Sequence, residues 1–158
     1  MQGEPGRAAA TAGVHVRKAG EHDLASVQAI ERASFSDPWS LEGFRDTMEQ
    51  PHAHLEVAVG PDDTILGYAV AWCVSDESEI ANLAVAPGAR RRGIGLLLLD
   101  RILQAAATFG ARTVFLEVRE SNVAAQELYG ARGFEVAGRR KQYYTRPRED
   151  ALVMRRTL

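Results

Sequence analysis

Arg90, Arg91 and Arg92 stand immediately before Gly93 and Gly95, and a long apolar run begins at Leu96. The run reads as a helix from about Arg91 to Phe109. A helix N-terminus carries positive partial charge and ordinarily attracts Asp or Glu rather than three cations. Glycines inside a helix add a further cost. Both costs make sense if the turn holds an anion. Unpaired backbone N–H groups then point at it, glycine admits it close to the backbone, and arginine forks match phosphate oxygens. A P-loop does not fit, because Gly95-Leu96-Leu97 stands where Gly-Lys-Ser/Thr is needed. A dinucleotide-binding turn lacks its third glycine, Leu98 being there, although Glu117 lies where that fold puts its ribose-binding acid. Several strands also precede the turn, whereas that fingerprint normally follows the first strand. The bland alternative is a solvated basic turn. The glycine spacing and the helix-end position favour anion binding.

Five further groups have chemistry to weigh. Glu117 in "VFLEVRE" faces away from the strand side shared by Val114, Leu116 and Val118. It reads either as a surface glutamate paired with Arg119 or as a site carboxylate. Tyr129 shares a helix face with Asn122 and Gln126, which is compatible with simple packing on a sheet. Trp39, Tyr143 and Tyr144 are aromatic candidates for a substrate groove, each also readable as core. His52 and His54 have no evident third ligand, so no metal site is expected. Cys73, the single cysteine, sits in "YAVAWCV" and reads as a buried small hydrophobe.

Positioning these groups requires an ordered sheet. "VHVRKA" alternates as a first strand, and "EHDLASVQAIERASF" puts Leu24, Val27 and Ile30 at helical spacing. "SLEGFRDTMEQ" is a second helix capped by Ser40. "HLEVAV" and "TILGYAVAWCV" form a hairpin across "GPDD", and "SEIANLAVAP" runs into the arginine turn. Gly110 ends the long helix. "RTVFLEV" is a strand, "SNVAAQELYGARG" a short helix capped by Ser121 or Asn122, and two closing strands follow. The order is β-α-α-β-β-β-α-β-α-β-β, an α/β chain with a mixed sheet and a right-handed parallel crossover at its centre. Residues 1–13 read as a disordered tail and 14–158 as one domain.

Composition agrees. The 158 residues are 46% hydrophobic and 25% charged, with net charge −2. That describes a globular domain with no global pull toward nucleic acid or a membrane surface. The chain shows no membrane-length apolar run and no signal-peptide pattern, so a cytoplasmic location is expected.

The motifs, taken in order, resemble the GNAT N-acetyltransferases. "RRRGIG" matches the R/Q-x-x-G-x-G/A acetyl-CoA signature. "FSDPWS", "LEVRESN", "LYGARGF", "GRRKQYY" and "EDALVM" extend the likeness from Val14 to Met154. They are similar to the bacterial branch that acetylates the N-terminal alanine of a ribosomal protein. The resemblance implies acetyl-CoA as co-substrate, a fourth and fifth strand that splay apart, and pantetheine pairing with Leu83, Ala84 and Val85. It implies pyrophosphate on the amides of Arg91, Arg92, Gly93, Ile94, Gly95 and Leu96, with the side chains of Arg90 to Arg92 nearby. It also implies Glu117 as general base, Tyr129 as general acid and Asn122 as a cofactor contact. Transfer would be direct, in a ternary complex with a protein N-terminus. "YGARGF" places Gly130 where relatives carry a bulkier residue, which loosens the helix end behind Tyr129. Two rival readings share the cofactor half: an enzyme for small amines or lysine side chains, and a non-catalytic acetyl-CoA sensor.

Overall fold

The computed structural model describes residues 11–158. Thr11 to Gly13 form a turn closed by the Val14 N–H donating to the Thr11 carbonyl at 3.0 Å. Residues 1–10 of the expected tail lie outside the described residues. The elements are β1 (His15–Lys18), α1 (Leu24–Ser34), α2 (Leu41–Met48), β2 (Ala53–Val59), β3 (Ile65–Val74), β4 (Glu77–Val85), α3 (Ile94–Phe109), β5 (Thr113–Arg119), α4 (Val123–Gly130), β6 (Glu135–Thr145) and β7 (Arg148–Thr157). This is the order expected from the sequence.

Local signals account for the ends. The Ser40 hydroxyl accepts from the Gly43 N–H at 3.0 Å and starts α2. Gly110 closes α3 in the left-handed conformation, φ 111°. Asn122, not Ser121, caps α4, accepting from the Ala125 N–H at 3.0 Å. The N-terminus of α3 differs from expectation. Gly93, at φ 81°, is its N-cap, so the helix begins at Ile94 and all three arginines lie in the turn before it.

One seven-stranded sheet runs β1-β2-β3-β4-β5-β7-β6. Only β4 and β5 pair in parallel, joined by α3. Two cores cover its faces. On one, Leu24, Val27, Ile30 and Phe44 from α1 and α2 pack on Leu55, Val57, Tyr68 and Val70. On the other, Ile94, Leu98, Leu99 and Ile102 of α3 and Tyr129 of α4 pack on Ala69, Ile80, Val114 and Leu116. Burying these side chains at about 1.5–3 kcal/mol each is what offsets the cost of ordering the chain. Cys73 is fully buried in this second core.

Candidate active site

The parallel pairing of β4 with β5 ends early. It runs from Glu77↔Thr113 to Ile80↔Leu116 and stops, while β4 continues to Val85 and β5 to Arg119. The cause is visible in β4. Opposite β3, Ala71 faces Ile80 and Val70 faces Asn82, so Ala81 is an extra, bulged residue. A bulge bends its strand and raises local twist. The two strands fork there, and Glu117 is the first β5 residue beyond the fork.

Past the bulge, β4 still pairs with β3 and leaves its other edge unpaired by strand. Ala86 donates to the Leu66 carbonyl at 2.8 Å. By alternation, Ala84 also faces β3, and Leu83 and Val85 turn their backbone groups into the fork. Of the three residues expected to meet pantetheine, Leu83 turns its N–H and carbonyl and Val85 its N–H into the fork, the Val85 carbonyl accepts from Arg90, and the backbone of Ala84 faces β3. A Cβ on Gly67 would sit 2.9 Å from the Ala84 carbonyl oxygen, which shows how tightly that side is closed.

The fork leads to the arginine turn. Gly93 is left-handed, and Arg91, at φ 63°, is too, a conformation uncommon for a residue with a side chain. These two positions turn the chain so that the first amides of α3 face outward, without a capping side chain to occupy them. A Cβ on Gly95 would lie 3.4 Å from Leu128, so α4 packs closely over this first turn. The three arginines separate. The Arg90 Nε donates to the Val85 carbonyl at 3.1 Å, and its Nη2 lies 3.3 Å from the Ser34 hydroxyl. Arg90 therefore braces the turn against β4 and α1. Arg91 is exposed and Arg92 half-buried.

Glu117 lies on the other side of the fork, its side chain 19% exposed. Its ion-pair partner is Arg140 of β6, Nε to Oε1 3.0 Å, and not Arg119. A second irregularity brings Arg140 there. Between the pairs Arg140↔Ala151 and Tyr144↔Glu149, three β6 residues oppose the single β7 residue Asp150. Gln142 takes φ 50° in this bulge, its N–H donating to Asp150 at 2.8 Å. The bulge also presents Tyr143, whose phenol is raised above its usual pKa chiefly by its hydrogen bond to Glu117. Trp72, Phe115, Val153 and Glu79 complete a groove of about 500 Å³ around Glu117 and Arg140. Burial, then the charge of Glu117, pushes the Glu79 carboxyl upward.

Tyr129 is 7% exposed, its ring edge-on to Phe134 at 5.7 Å. Burial, then Tyr144, pushes its phenol well up. A phenol so raised stays protonated at neutral pH, where it can give up a proton but not take one as a base. Asn122, spending its carbonyl oxygen on the α4 cap, retains an amide nitrogen as donor.

Sequence reasoning missed a buried carboxylate beside the fork. Glu31 of α1, 1% exposed, accepts from the Tyr68 hydroxyl, from Asn82 Nδ2 at 2.8 Å and from the Trp39 N–H at 2.9 Å. It ties α1, β3, the forked part of β4 and the α1–α2 loop together. The signal was present: Glu31 follows Leu24 by seven residues and Val27 by four, on the apolar stripe. Trp39, half-buried, packs on Phe44 at 5.2 Å. Tyr143 is 49% exposed, and Tyr144 lies under Arg119, 4.2 Å from the ring centroid. His54 belongs to β2 and, like His52, packs edge-on to Phe109. Among the described residues, no three His, Cys, Asp or Glu side chains group as metal ligands would.

A forked parallel pair opening onto an uncapped, glycine-turned helix start leaves backbone groups unpaired by strand along the fork and amides at the helix end suited to an anion. The acetyltransferase (GNAT) family model matches residues 24–134. The chain belongs to that family. It is therefore an N-acetyltransferase by family and fold. It is 36% identical over 134 residues to the [ribosomal protein bS18]-alanine N-acetyltransferase of Salmonella typhimurium, covering 84% of this chain and 89% of that one. The crystal structure of the ribosomal-protein-S18-alanine N-acetyltransferase from Escherichia coli superposes with TM-score 0.83 at 31% identity, over 91% of this chain and 93% of that chain. The NatC complex bound to Gag peptide and CoA shares the fold at TM-score 0.83 and 23% identity, over 92% and 98% of the two chains.

Proposed function

We propose that this GNAT enzyme transfers acetyl from acetyl-CoA to the N-terminal α-amine of a protein beginning with alanine, a ribosomal small-subunit protein being the natural acceptor. The observation that carries the reading is the position of Glu117, immediately past the fork and facing a groove on the side away from α3 and α4. The relatives named for acetylating alanine of bS18 support the acceptor, and a cytoplasmic location belongs to the same reading.

The chemistry follows from two proton transfers. An α-ammonium, with a pKa near 8, must lose a proton before it attacks. Glu117 takes that proton, directly or through one water. The neutral amine attacks the thioester carbonyl, forming the C–N bond; the C–S bond breaks as the tetrahedral intermediate collapses, and the nitrogen releases its second proton to water, from which Tyr129 regains the proton it gives to the thiolate. Tyr129 donates the proton that the departing thiolate needs. Leu83 and Val85 hold the pantetheine arm by backbone pairing, as a strand would. The amides of Gly93 to Leu96, with Arg91 and Arg92, hold the pyrophosphate. Asn122 steadies the acetyl-CoA from α4. Attack is direct: Cys73, fully buried and 3.3 Å from Ser78, is out of reach as a nucleophile.

The test is product mass spectrometry on a panel of an Ala-initiated peptide, its Nα-blocked form containing lysine, and a polyamine. One acetyl group on the free α-amine of the first peptide alone is expected. Acetylated polyamine with an untouched peptide would overturn the acceptor while leaving the cofactor assignment standing.

A further inference from the structure

Arg119 ends β5, two residues beyond Glu117 and on the same face of the strand. Its guanidinium, 24% exposed, meets the β6–β7 turn, the start of β7 and the α1–α2 loop beside Glu117. Nη1 donates to the Pro147 carbonyl at 2.9 Å and lies 3.2 Å from Glu149 Oε1. Nη2 reaches the Arg146 carbonyl at 3.2 Å and the Ser36 hydroxyl at 3.2 Å. The plane of the fork stacks on Tyr144. Its backbone carbonyl accepts from the Asn122 N–H at 3.0 Å and from Gln126 Nε2 at 3.3 Å, which seats the start of α4. Glu149 closes the ring by accepting from the Ser121 N–H at 2.5 Å; its carboxyl is held below the usual range first by the Ser121 side-chain hydrogen bond, and then by this backbone bond and Arg119.

We infer that Arg119 is a positioning residue that fixes the width of the acceptor groove by fastening the α1–α2 loop to the β6–β7 turn across the candidate base. The inference rests on the acetyl-transfer reading above. Its physical ground is that the two walls belong to segments far apart in sequence. Besides Arg119, the loop is anchored at its opposite end through Trp39, whose N–H donates to Glu31 at 2.9 Å, whose carbonyl accepts from Gln28 Nε2 at 3.2 Å and whose ring packs on Phe44. A loop held at one end samples many positions, and an acceptor must then supply the ordering free energy itself. Arginine suits the task because its planar fork serves four acceptors and a ring at once; lysine offers a single point charge. The backbone contacts to α4 persist whatever side chain stands at 119. The side chain reaches α4 only indirectly, through Glu149 on the Ser121 N–H, and its direct contacts are to the α1–α2 loop and the β6–β7 hairpin.

Steady-state kinetics with an Ala-initiated peptide tests this. Arg119→Met raises the peptide KM about tenfold or more, while the KM for acetyl-CoA stays within about twofold. Arg119→Lys falls between wild type and Arg119→Met. Ser36→Ala removes only the loop contact from an exposed position and raises the peptide KM about two- to threefold; it carries the test independently of any folding defect at Arg119. Unchanged peptide KM in Ser36→Ala, or equal losses toward peptide and acetyl-CoA in Arg119→Met, overturns the inference and leaves the functional reading intact. Wild-type protein that acetylates no α-amine refutes both.

Discussion

Replacing Glu117 by Gln removes a proton acceptor and little else. Glutamine has the same shape and keeps a carbonyl oxygen toward Arg140, which lies 3.0 Å away. The lost ion pair has one partner 58% exposed, so water screens it and it is worth at most about 1 kcal/mol. For a chain of this size the melting temperature should fall by no more than about 2–4 °C. A positioned general base contributes about 10²- to 10⁴-fold, or roughly 3–5 kcal/mol of barrier. The kinetic loss must therefore far exceed the stability loss. The pH dependence separates a base from a spectator. With an α-ammonium pKa near 8, roughly one tenth of the acceptor is neutral at pH 7 and most of it at pH 9. The deficit of Glu117→Gln should accordingly be largest near neutrality and shrink toward pH 9. Initial rates of CoA thiol release, at saturating acetyl-CoA across this range, measure it. A loss below threefold at pH 7, or a larger deficit that stays constant to pH 9, refutes the role given to Glu117.

Three other outcomes are expected. Arg91→Ala with Arg92→Ala should weaken acetyl-CoA binding about 10- to 100-fold by calorimetry, less at high salt, and leave kcat at saturation nearly unchanged; no loss would leave only the backbone amides as the phosphate cradle. Tyr129→Phe keeps the buried ring and its packing on Phe134, and should lower kcat with little change in acetyl-CoA affinity; unchanged kcat in single-turnover mixing removes it as the acid. Asp23, 3% exposed, takes a bidentate pair from Arg17 at 2.6 and 3.0 Å, and the Arg17 hydrogen bond holds its carboxyl below the ordinary 3.8. That stabilisation is complete above the ordinary value and is lost as pH falls through the lower folded one. Asp23→Asn should therefore reduce melting temperature at pH 7 and flatten its fall at acid pH, with parallel acid profiles in the two proteins counting against the pairing.

Local rules carried much of the fold into the sequence. Ser40 and Gly110 set helix ends where their chemistry required, and the alternation around "VFLEV" put Glu117 on the correct face. The misplaced features depend on register between distant segments. Residues two apart on a strand share a face, so of the two readings of Glu117 the surface one pairs it with Arg119. Its true partner, Arg140, arrives from β6 through a bulge whose extra residues leave no mark in "RRKQYY". The fork in β4 is similar. Ala81 is an ordinary alanine, and only its lack of a partner opposite β3 shows the bend. The start of α3 was placed early because its boundary is a left-handed glycine with no capping side chain. Three arginines in one row also gave no hint that Arg90 would turn back to Val85 and Ser34 and serve as a brace.

A crystal structure of the enzyme with a CoA–peptide conjugate, its peptide beginning with alanine, tests the central claim most directly. The account predicts pyrophosphate on the amides of Gly93 to Leu96, pantetheine paired with Leu83 and Val85 inside the fork, and the peptide α-nitrogen within about 3 Å of Glu117 or one water away. A conjugate that lies outside the fork, or whose α-nitrogen sits on the face covered by α3 and α4, would contradict it.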